Sequence, residues 1–338
     1  MGERFVGAVV GVILLALCGG TALGNGWEHQ AIPLPALLAA VEGDDAELRA
    51  RAAFSLGVRQ ERAAVVPLLA RLERPEAEAQ VRSAIYEALG RIGDRRAAAA
   101  LIAALRNEAR EELRAEAAAA LGAIGNAATL DALLTALAAD DELLVRTRVV
   151  QALGGFSTPA AVAALTRVAD GEFGQALKPR ALAALGATGA DEAAPVLLAA
   201  LAAAASDAER GIVVDALGRL GHGSAVAPLA ALLATTVDAP LRLRLAAALG
   251  RLRDGSALPT LVALLDDGEP GVRLFAIAGL AALGDPAAAA PLQMFCRGRL
   301  NRLAAEADMT ALLADHEVLT AALRALIDLD QNVMGAYD

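Results

Sequence analysis

Leucine recurs along this chain as Leu56, Leu89, Leu121, Leu153, Leu185, Leu217, Leu249 and Leu280, at intervals of 33, 32, 32, 32, 32, 32 and 31 residues. A period near 32 kept over eight copies admits few architectures. Each copy must be one supersecondary unit that buries its apolar face against its neighbours. Around the leucine stands Ala-Leu-Gly or a looser copy of it, followed by a second glycine. The motif is clearest in Ala88-Leu89-Gly90-Arg91-Ile92-Gly93-Asp94, Ala120-Leu121-Gly122-Ala123-Ile124-Gly125-Asn126 and Ala216-Leu217-Gly218-Arg219-Leu220-Gly221-His222.

Numbering each copy from its leucine exposes the columns. Seven before it stand Arg49, Arg82, Arg114, Arg146, Lys178, Arg210, Arg242 and Arg273, a cation in every copy. Four before it stand Ala52, Ile85, Ala117, Val149, Ala181, Val213, Leu245 and Ala276, always apolar. Offsets −8, −4, −1, 0 and +3 therefore share one helical face, which predicts the second helix of each copy. Twelve after the anchor come Leu68, Leu101, Leu133, Leu165, Leu197, Leu229, Leu261 and Leu292, with further apolar columns at +9 and +16. These predict the first helix of the next copy. Pro67, Pro195, Pro228, Pro259 and Pro291 fall at +10 or +11, near the helix start, where the missing N–H has no intrahelical acceptor to lose. The second glycine of the motif is placed to close the preceding helix as its C-cap. Aromatic residues make up only 3% of the chain, which suits close helix packing and starves a β-sandwich of its usual side chains.

The combined pattern, Val-Arg-x-x-Ala followed by Ala-Leu-Gly-x-Ile/Leu-Gly-Asp, resembles the HEAT-like repeat associated with phycobilisome lyases, over roughly residues 34–297. The resemblance implies an all-α fold, a right-handed α-solenoid of about eight two-helix HEAT-like repeats with helical caps. It also implies a class that serves mostly as binding scaffolds and rarely as enzymes, and a fold does not by itself carry an activity. The ends depart from the pattern: Arg59 replaces the apolar residue at +3 in the first copy, and Phe156-Ser157-Thr158 interrupts the fourth. Beyond Leu300 the period is lost. There Val318, Leu319, Ala322, Leu323, Leu326 and Ile327 predict an amphipathic helix laid over the last repeat. The expected organisation is a signal peptide or uncleaved anchor at 1–24, a short linker at 25–33, the repeat array at 34–297 and a C-terminal helical cap at 298–338.

Residues Phe5 to Gly24 carry no charge, and the apolar run from Phe5 to Leu17 has the length of a signal-peptide core. Ala22 and Gly24 are small, which predicts cleavage before Asn25 and export, to the periplasm of a bacterium. Lys178 is the one lysine among 30 basic residues, the bias of a GC-rich coding sequence. Two alternatives attach the chain to a membrane through this segment alone. The uncharged stretch just reaches spanning length, and Leu15-Ala16-Leu17-Cys18 resembles a lipobox except that Leu17 stands where a small residue is wanted. With Cys18 removed, Cys296 is the one remaining thiol, and no intramolecular disulfide can form.

A net charge of −10 and a pI near 5.0 oppose a nucleic-acid partner, because that affinity rests on neutralising phosphates. The cation column reads as structural. A cation near the start of its own helix is badly placed for the macrodipole, so its presence in every copy implies a specific partner. Asp45, Asp141, Asp207, Asp238 and Asp267 lie a few residues upstream, and stacked Asp–Arg pairs between adjacent repeats would satisfy both groups. The doublets Asp44-Asp45, Asp140-Asp141 and Asp266-Asp267 read as caps and solvated turns. His29, His222 and His316 have no metal-ligand spacing, and His222 fills a turn position held elsewhere by Asp or Asn. Cys296 falls in the apolar +16 column as a buried hydrophobe. No catalytic, cofactor or metal site is expected.

The informative columns are the irregular ones. Offset −5 carries Arg51, Ala84, Glu116, Arg148, Arg180, Ile212, Arg244 and Phe275; offset −2 carries Phe54, Glu87, Ala119, Gln151, Ala183, Asp215, Ala247 and Ala278. Both point away from the shared core and, in HEAT-like arrays, toward the concave surface. Variation on a regular scaffold is where partner choice resides, which makes Glu87, Arg148, Gln151, Arg180, Asp215 and Arg244 the candidate partner-binding residues. Arg148, Arg180 and Arg244 suggest a basic stripe for an acidic helical or extended segment of a protein or peptide. The expected function is a non-enzymatic scaffold or adaptor. The alternative that the resemblance implies is a bilin lyase or isomerase.

Overall fold

A computed structural model describes residues 32–74, 78–303 and 309–335. The expected leader at 1–24, with Cys18, lies outside these residues, as do residues 25–31 of the linker. Among the described residues there is no strand, and no helix is long and apolar enough to cross a membrane. The chain forms two compact units, one ending at Phe156 and one beginning at Ser157. Their junction falls where the fourth copy departs from the motif.

In the N-terminal unit the first helices are α1 (Leu34–Val41), α3 (Val65–Glu73), α5 (Ala98–Asn107) and α7 (Ala127–Ala139). They alternate with second helices α2 (Ala46–Val58), α4 (Ala79–Ile92), α6 (Glu111–Ile124) and α8 (Leu143–Leu153). Each first helix packs on the second helix that follows it, and α2, α4, α6 and α8 stack in turn. The C-terminal unit repeats this order with first helices α9 (Pro159–Ala169), α11 (Ala193–Ala203), α13 (Val226–Thr235), α15 (Leu258–Ala263) and α17 (Ala289–Leu303). Its second helices are α10 (Lys178–Ala187), α12 (Asp207–Leu220), α14 (Ala239–Leu252), α16 (Pro270–Leu283) and α18 (Met309–Gly335), stacked in chain order.

The leucine columns are the core. All eight anchors and all eight leucines twelve residues on have no exposed surface, and truncating such a residue to alanine costs about 2–5 kcal/mol. First helices in several repeats are entered through a single 3-10 turn whose leading carboxylate caps it. Asp94, Asp254 and Asp285 accept from the amides two residues on at 2.9, 2.9 and 2.8 Å. His222 does the same through Nδ1, 3.3 Å from the Ser224 amide, so it is a turn residue.

Both glycines of the motif have a physical reason. A Cβ on Gly186, the first, would lie 2.5 Å from the Ala216 carbonyl oxygen and 2.6 Å from its Cα. Helices α10 and α12 therefore meet backbone to backbone, and Ala-Leu-Gly is the signature of that contact: leucine for the core, glycine on one helix and alanine on the next. The second glycine adopts left-handed backbone at Gly93, Gly125, Gly189, Gly221 and Gly284, with φ of 68°, 65°, 63°, 77° and 63°. In the same column Gln60 and Arg253 hold φ of 53° and 50° despite their side chains, a conformation that costs a non-glycine residue about 1–2 kcal/mol.

The C-terminal end differs from the expected seam. Helix α17 runs unbroken from Ala289 to Leu303, and α18 packs on both α16 and α17. Its buried side chains include Val318, Leu319, Ala322, Ala325 and Leu329, whereas Leu323 and Ile327 are exposed. The 3.6-residue period places Val318, Ala322, Ala325 and Leu329 on one stripe; Leu323 and Ile327, off that stripe, mislead a reading from hydrophobicity alone.

Candidate partner-binding face

The cation column does two tasks. In four repeats its Nη1 donates to the carbonyl six residues before it: Arg49 to Gly43 at 2.9 Å, Arg114 to Glu108 at 3.0 Å, Arg242 to Thr236 at 2.9 Å and Arg273 to Asp267 at 2.7 Å. These carbonyls lie at or just beyond the end of the paired first helix. The cation is badly placed for its own helix, but it reaches the negative end of the neighbouring one, where positive charge is favoured.

The second task joins repeats. Arg82 lies 2.9 Å from Glu108, Arg114 lies 2.6 Å from Asp140, and Arg242 pairs with Asp267. Lys178 reaches Glu209 at 2.5 Å. Four of the five expected acids do otherwise. Asp45 and Asp238 are helix N-caps that accept backbone amides. Asp141 and Asp207 pair with Arg146 and Arg210 inside their own repeats. Asp267, expected both among these partners and in a solvated turn, is such a partner with its side chain 4% exposed, and Asp140, expected only in a solvated turn, is another. In three of these four joints the acid sits at the C-cap of the first helix or of the 3-10 turn that ends it, so that one residue can serve two arginines. Glu108 takes Arg82 on its carboxylate and Arg114 on its carbonyl.

Tyr86 adds to this joint by donating its hydroxyl to Glu108 at 2.5 Å. Burial first, and then the bond and charge of Glu108, push the Tyr86 hydroxyl above its ordinary value. A groove of about 590 Å³ lies beside them, lined by Leu69, Leu72, Arg82, Tyr86, Ala103 and Glu108 among others. Glu108 engages both Arg82 and Tyr86, while the buried Arg82 Nε has no hydrogen-bond partner among the described residues. Cys296 is buried, and burial raises its thiol. Among the described residues no group of three or more His, Cys, Asp or Glu could hold a metal ion.

On the second helices, every residue at offsets −5 and −2 except Ala247 keeps exposed surface. The candidate residues do not behave alike. Glu87 is tied to Arg91 one turn on at 2.7 Å, and Arg91 stacks over the Phe54 ring of the preceding repeat at 5.1 Å. Arg148 Nη1 donates to Gln151 at 3.3 Å. Arg244 pairs with Asp215 of the preceding repeat at 2.5 Å, and Arg180 is exposed with no ion pair among the described residues. Of the expected stripe of Arg148, Arg180 and Arg244, Arg148 lies in the N-terminal unit and Arg244 is paired with Asp215. Arg219 and Arg251, at offset +2, are both exposed and were missed. Seven residues beyond −5 is two helical turns, which puts +2 on the same stripe.

Residues 34–121, 98–186 and 226–312 match the family of HEAT repeats. The chain belongs to the HEAT-repeat family. Its fold, an α-solenoid of two-helix HEAT repeats, is shared with importin β. A crystal structure of that protein is 16% identical, with a TM-score of 0.56, over 96% of the HEAT-repeat chain and 50% of its own. The HEAT-repeat chain thus spans half the length of importin β. Human deoxyhypusine hydroxylase in complex with glycerol is 25% identical over 83% of this chain and 98% of that one, with a TM-score of 0.32. The complex of CpcE and CpcF of phycocyanin lyase from Nostoc sp. is 19% identical over 92% and 98%, also with a TM-score of 0.32. No curated protein matches the sequence.

Proposed function

We propose that this HEAT-repeat protein is a non-enzymatic scaffold that binds a protein or peptide, an acidic helical or extended segment, along the outward face of its second helices. One observation carries the reading. In repeats whose core, caps and cation column are nearly invariant, the second-helix positions that stay exposed are those where the copies differ, from Phe54 and Glu87 to Arg180 and Phe275. Nothing in the packing requires that variation. Successive second helices stand about 8–10 Å apart, a spacing that suits a chain segment better than a metabolite.

Photo-crosslinking in cells tests this directly. A benzophenone amino acid at exposed Ala119 or Ala278, on the second helices, should capture a partner. The same group at exposed Ala99 or Ala199, on the first helices, should not. Capture from the first-helix positions alone, or from none, overturns the reading. A bilin-dependent absorption shift on mixing with the purified chain would favour the lyase alternative instead.

Export to a bacterial periplasm through residues 1–24 belongs to the same proposal. A reporter active only outside the cytoplasm, fused after residue 33, should be active; an inactive reporter on an intact fusion overturns it. Retention of the active fusion in the membrane fraction would point to an uncleaved anchor or to lipidation at Cys18.

A further inference from the structure

The outward stripe of a second helix comprises offsets −9, −5, −2 and +2, which fall within about 60° of one another on a helix of 3.6 residues per turn. Its charge differs between the two units. In the N-terminal unit it carries Arg51, Arg91 and Arg148 against Glu47, Glu87, Glu112 and Glu116. Two of those arginines are spent on glutamates of their own helices, Arg51 on Glu47 at 2.5 Å and Arg91 on Glu87 at 2.7 Å. In α10, α12, α14 and α16 of the C-terminal unit the stripe carries Arg180, Arg219, Arg244 and Arg251 against Asp215 alone. A chain of net charge −10 thus gathers an excess of three positive charges on one face of one unit.

The arginines are laid across helices. Arg219 Nη1 reaches back from α12 to the Ala183 carbonyl on α10 at 3.3 Å. Arg244 reaches back from α14 to Asp215 on α12 at 2.5 Å. Arg180 and Arg251 are exposed and have no ion pair among the described residues. Between them the face is lined by small side chains, Ala183 and Ala247 among them, and it ends at the exposed ring of Phe275. Charge and relief together define a shallow cationic track crossing three successive helices.

We infer that the C-terminal unit is the acid-reading half of the scaffold, and that Arg180, Arg219 and Arg251 hold an extended peptide carrying a carboxylate at every third residue. The inference rests on the scaffold reading above and deepens it. Arg219 and Arg251 share one offset on neighbouring second helices about 8–10 Å apart, which matches three residues of extended chain at about 3.3 Å each. Arg180 stands seven residues, about 10 Å, nearer the start of its helix, and Arg219 leans back toward it onto the Ala183 carbonyl. Guanidinium groups bind carboxylates through paired N–H donors, and the small residues between let a peptide backbone approach. Nucleic acid is disfavoured because the rest of this acidic chain repels a polyanion of uniform charge, whereas a short acidic segment covers the track and little else.

Fluorescence anisotropy with the full chain decides the matter. The probes are a labelled twelve-residue peptide of Ser and Ala with Glu at every third position, one of the same composition with its Glu contiguous, one with Lys in place of Glu, and a twelve-residue oligothymidine. The spaced Glu peptide should bind tightest and weaken with added salt. Arg219→Glu with Arg251→Glu should weaken it at least about tenfold. Arg106→Glu with Arg110→Glu, an equal charge change at exposed positions off the stripe, should change it less than about twofold. Melting temperatures confirm that both variants are folded. Equal losses in the two variants, no loss in the first, or tighter binding of any other probe overturns the inference. Crosslinking from Ala119 or Ala278 with no preference for acidic peptides would leave the scaffold standing and remove only this refinement.

Discussion

Arg114 holds Asp140 in a two-point clasp, Nε to Oδ2 at 2.6 Å and Nη2 to Oδ1 at 3.3 Å, across the boundary between the third and fourth repeats. The same guanidinium caps the Glu108 carbonyl with its remaining nitrogen. One side chain therefore closes its own helical pair and fastens it to the next.

Replacing Arg114 with Ala should cost about 2–3 kcal/mol in urea denaturation, because it strands a carboxylate whose side chain is 11% exposed and frees a helix-end carbonyl. Arg210→Ala removes a surface pair with Asp207, three residues away on the same helix, and should cost less than about 0.5 kcal/mol. Arg146, whose partner Asp141 is 96% exposed, should fall between them. Equal costs at Arg114 and Arg210 would refute the clasp.

The clasp should also show in pH. Burial acts to raise the Asp140 carboxyl, but the hydrogen bonds from Arg114 and the Glu142 amide, with the charges of Arg114 and Arg146, hold it below its ordinary value. Its ionised form therefore stabilises the fold, fully above the ordinary carboxylate value of about 4 and progressively less as pH falls through the depressed one. The stability gap between wild type and Asp140→Asn should close on acidification below about pH 4. Glu111 is the opposite case, raised by burial and then by Glu142 and Glu112. Glu111→Gln should be more stable than wild type at neutral pH and indistinguishable in acid, as read from melting temperatures.

Arg253 occupies the left-handed position that glycine fills in five other repeats. Arg253→Gly should stabilise the chain by about 1 kcal/mol. Gly221→Ala should destabilise it by a similar amount, since a Cβ there meets nothing within 4 Å and only backbone strain is added. Shifts of the same sign in both variants would contradict the cap assignment.

Gly186→Ala tests the close approach of α10 and α12. A methyl group 2.5 Å from the Ala216 oxygen must push the helices apart, at a cost of about 3 kcal/mol. A melting temperature within a degree of wild type would mean that the contact is looser than the geometry shows.

The repeat length, the two helices per copy, the buried leucine columns, the glycine caps and the column of cations were all legible in one dimension. Each follows from residues spaced by a helical turn or by one repeat, and periodicity reports such spacings. Which acid each cation meets was not legible. Asp45 stands eleven residues before its anchor and caps its own helix, while Asp267, thirteen before its anchor, receives Arg242 from the preceding repeat. That choice depends on how far an arginine reaches between helices 25 residues apart in the chain.

The candidate face divides in the same way. Exposure of the −5 and −2 columns could be read from the helical period, as Arg180 and Phe275 illustrate. Which arginines stay unneutralised could not. Arg244 and Asp215 are 29 residues apart in sequence and 2.5 Å apart in space, and only the stacking of α12 on α14 brings them together. The sequence alone determined a helical repeat array, because local periodicity and burial are properties of single helices. The tertiary structure decided the pairing of its charges, because an ion pair is set by the distance between side chains on different helices.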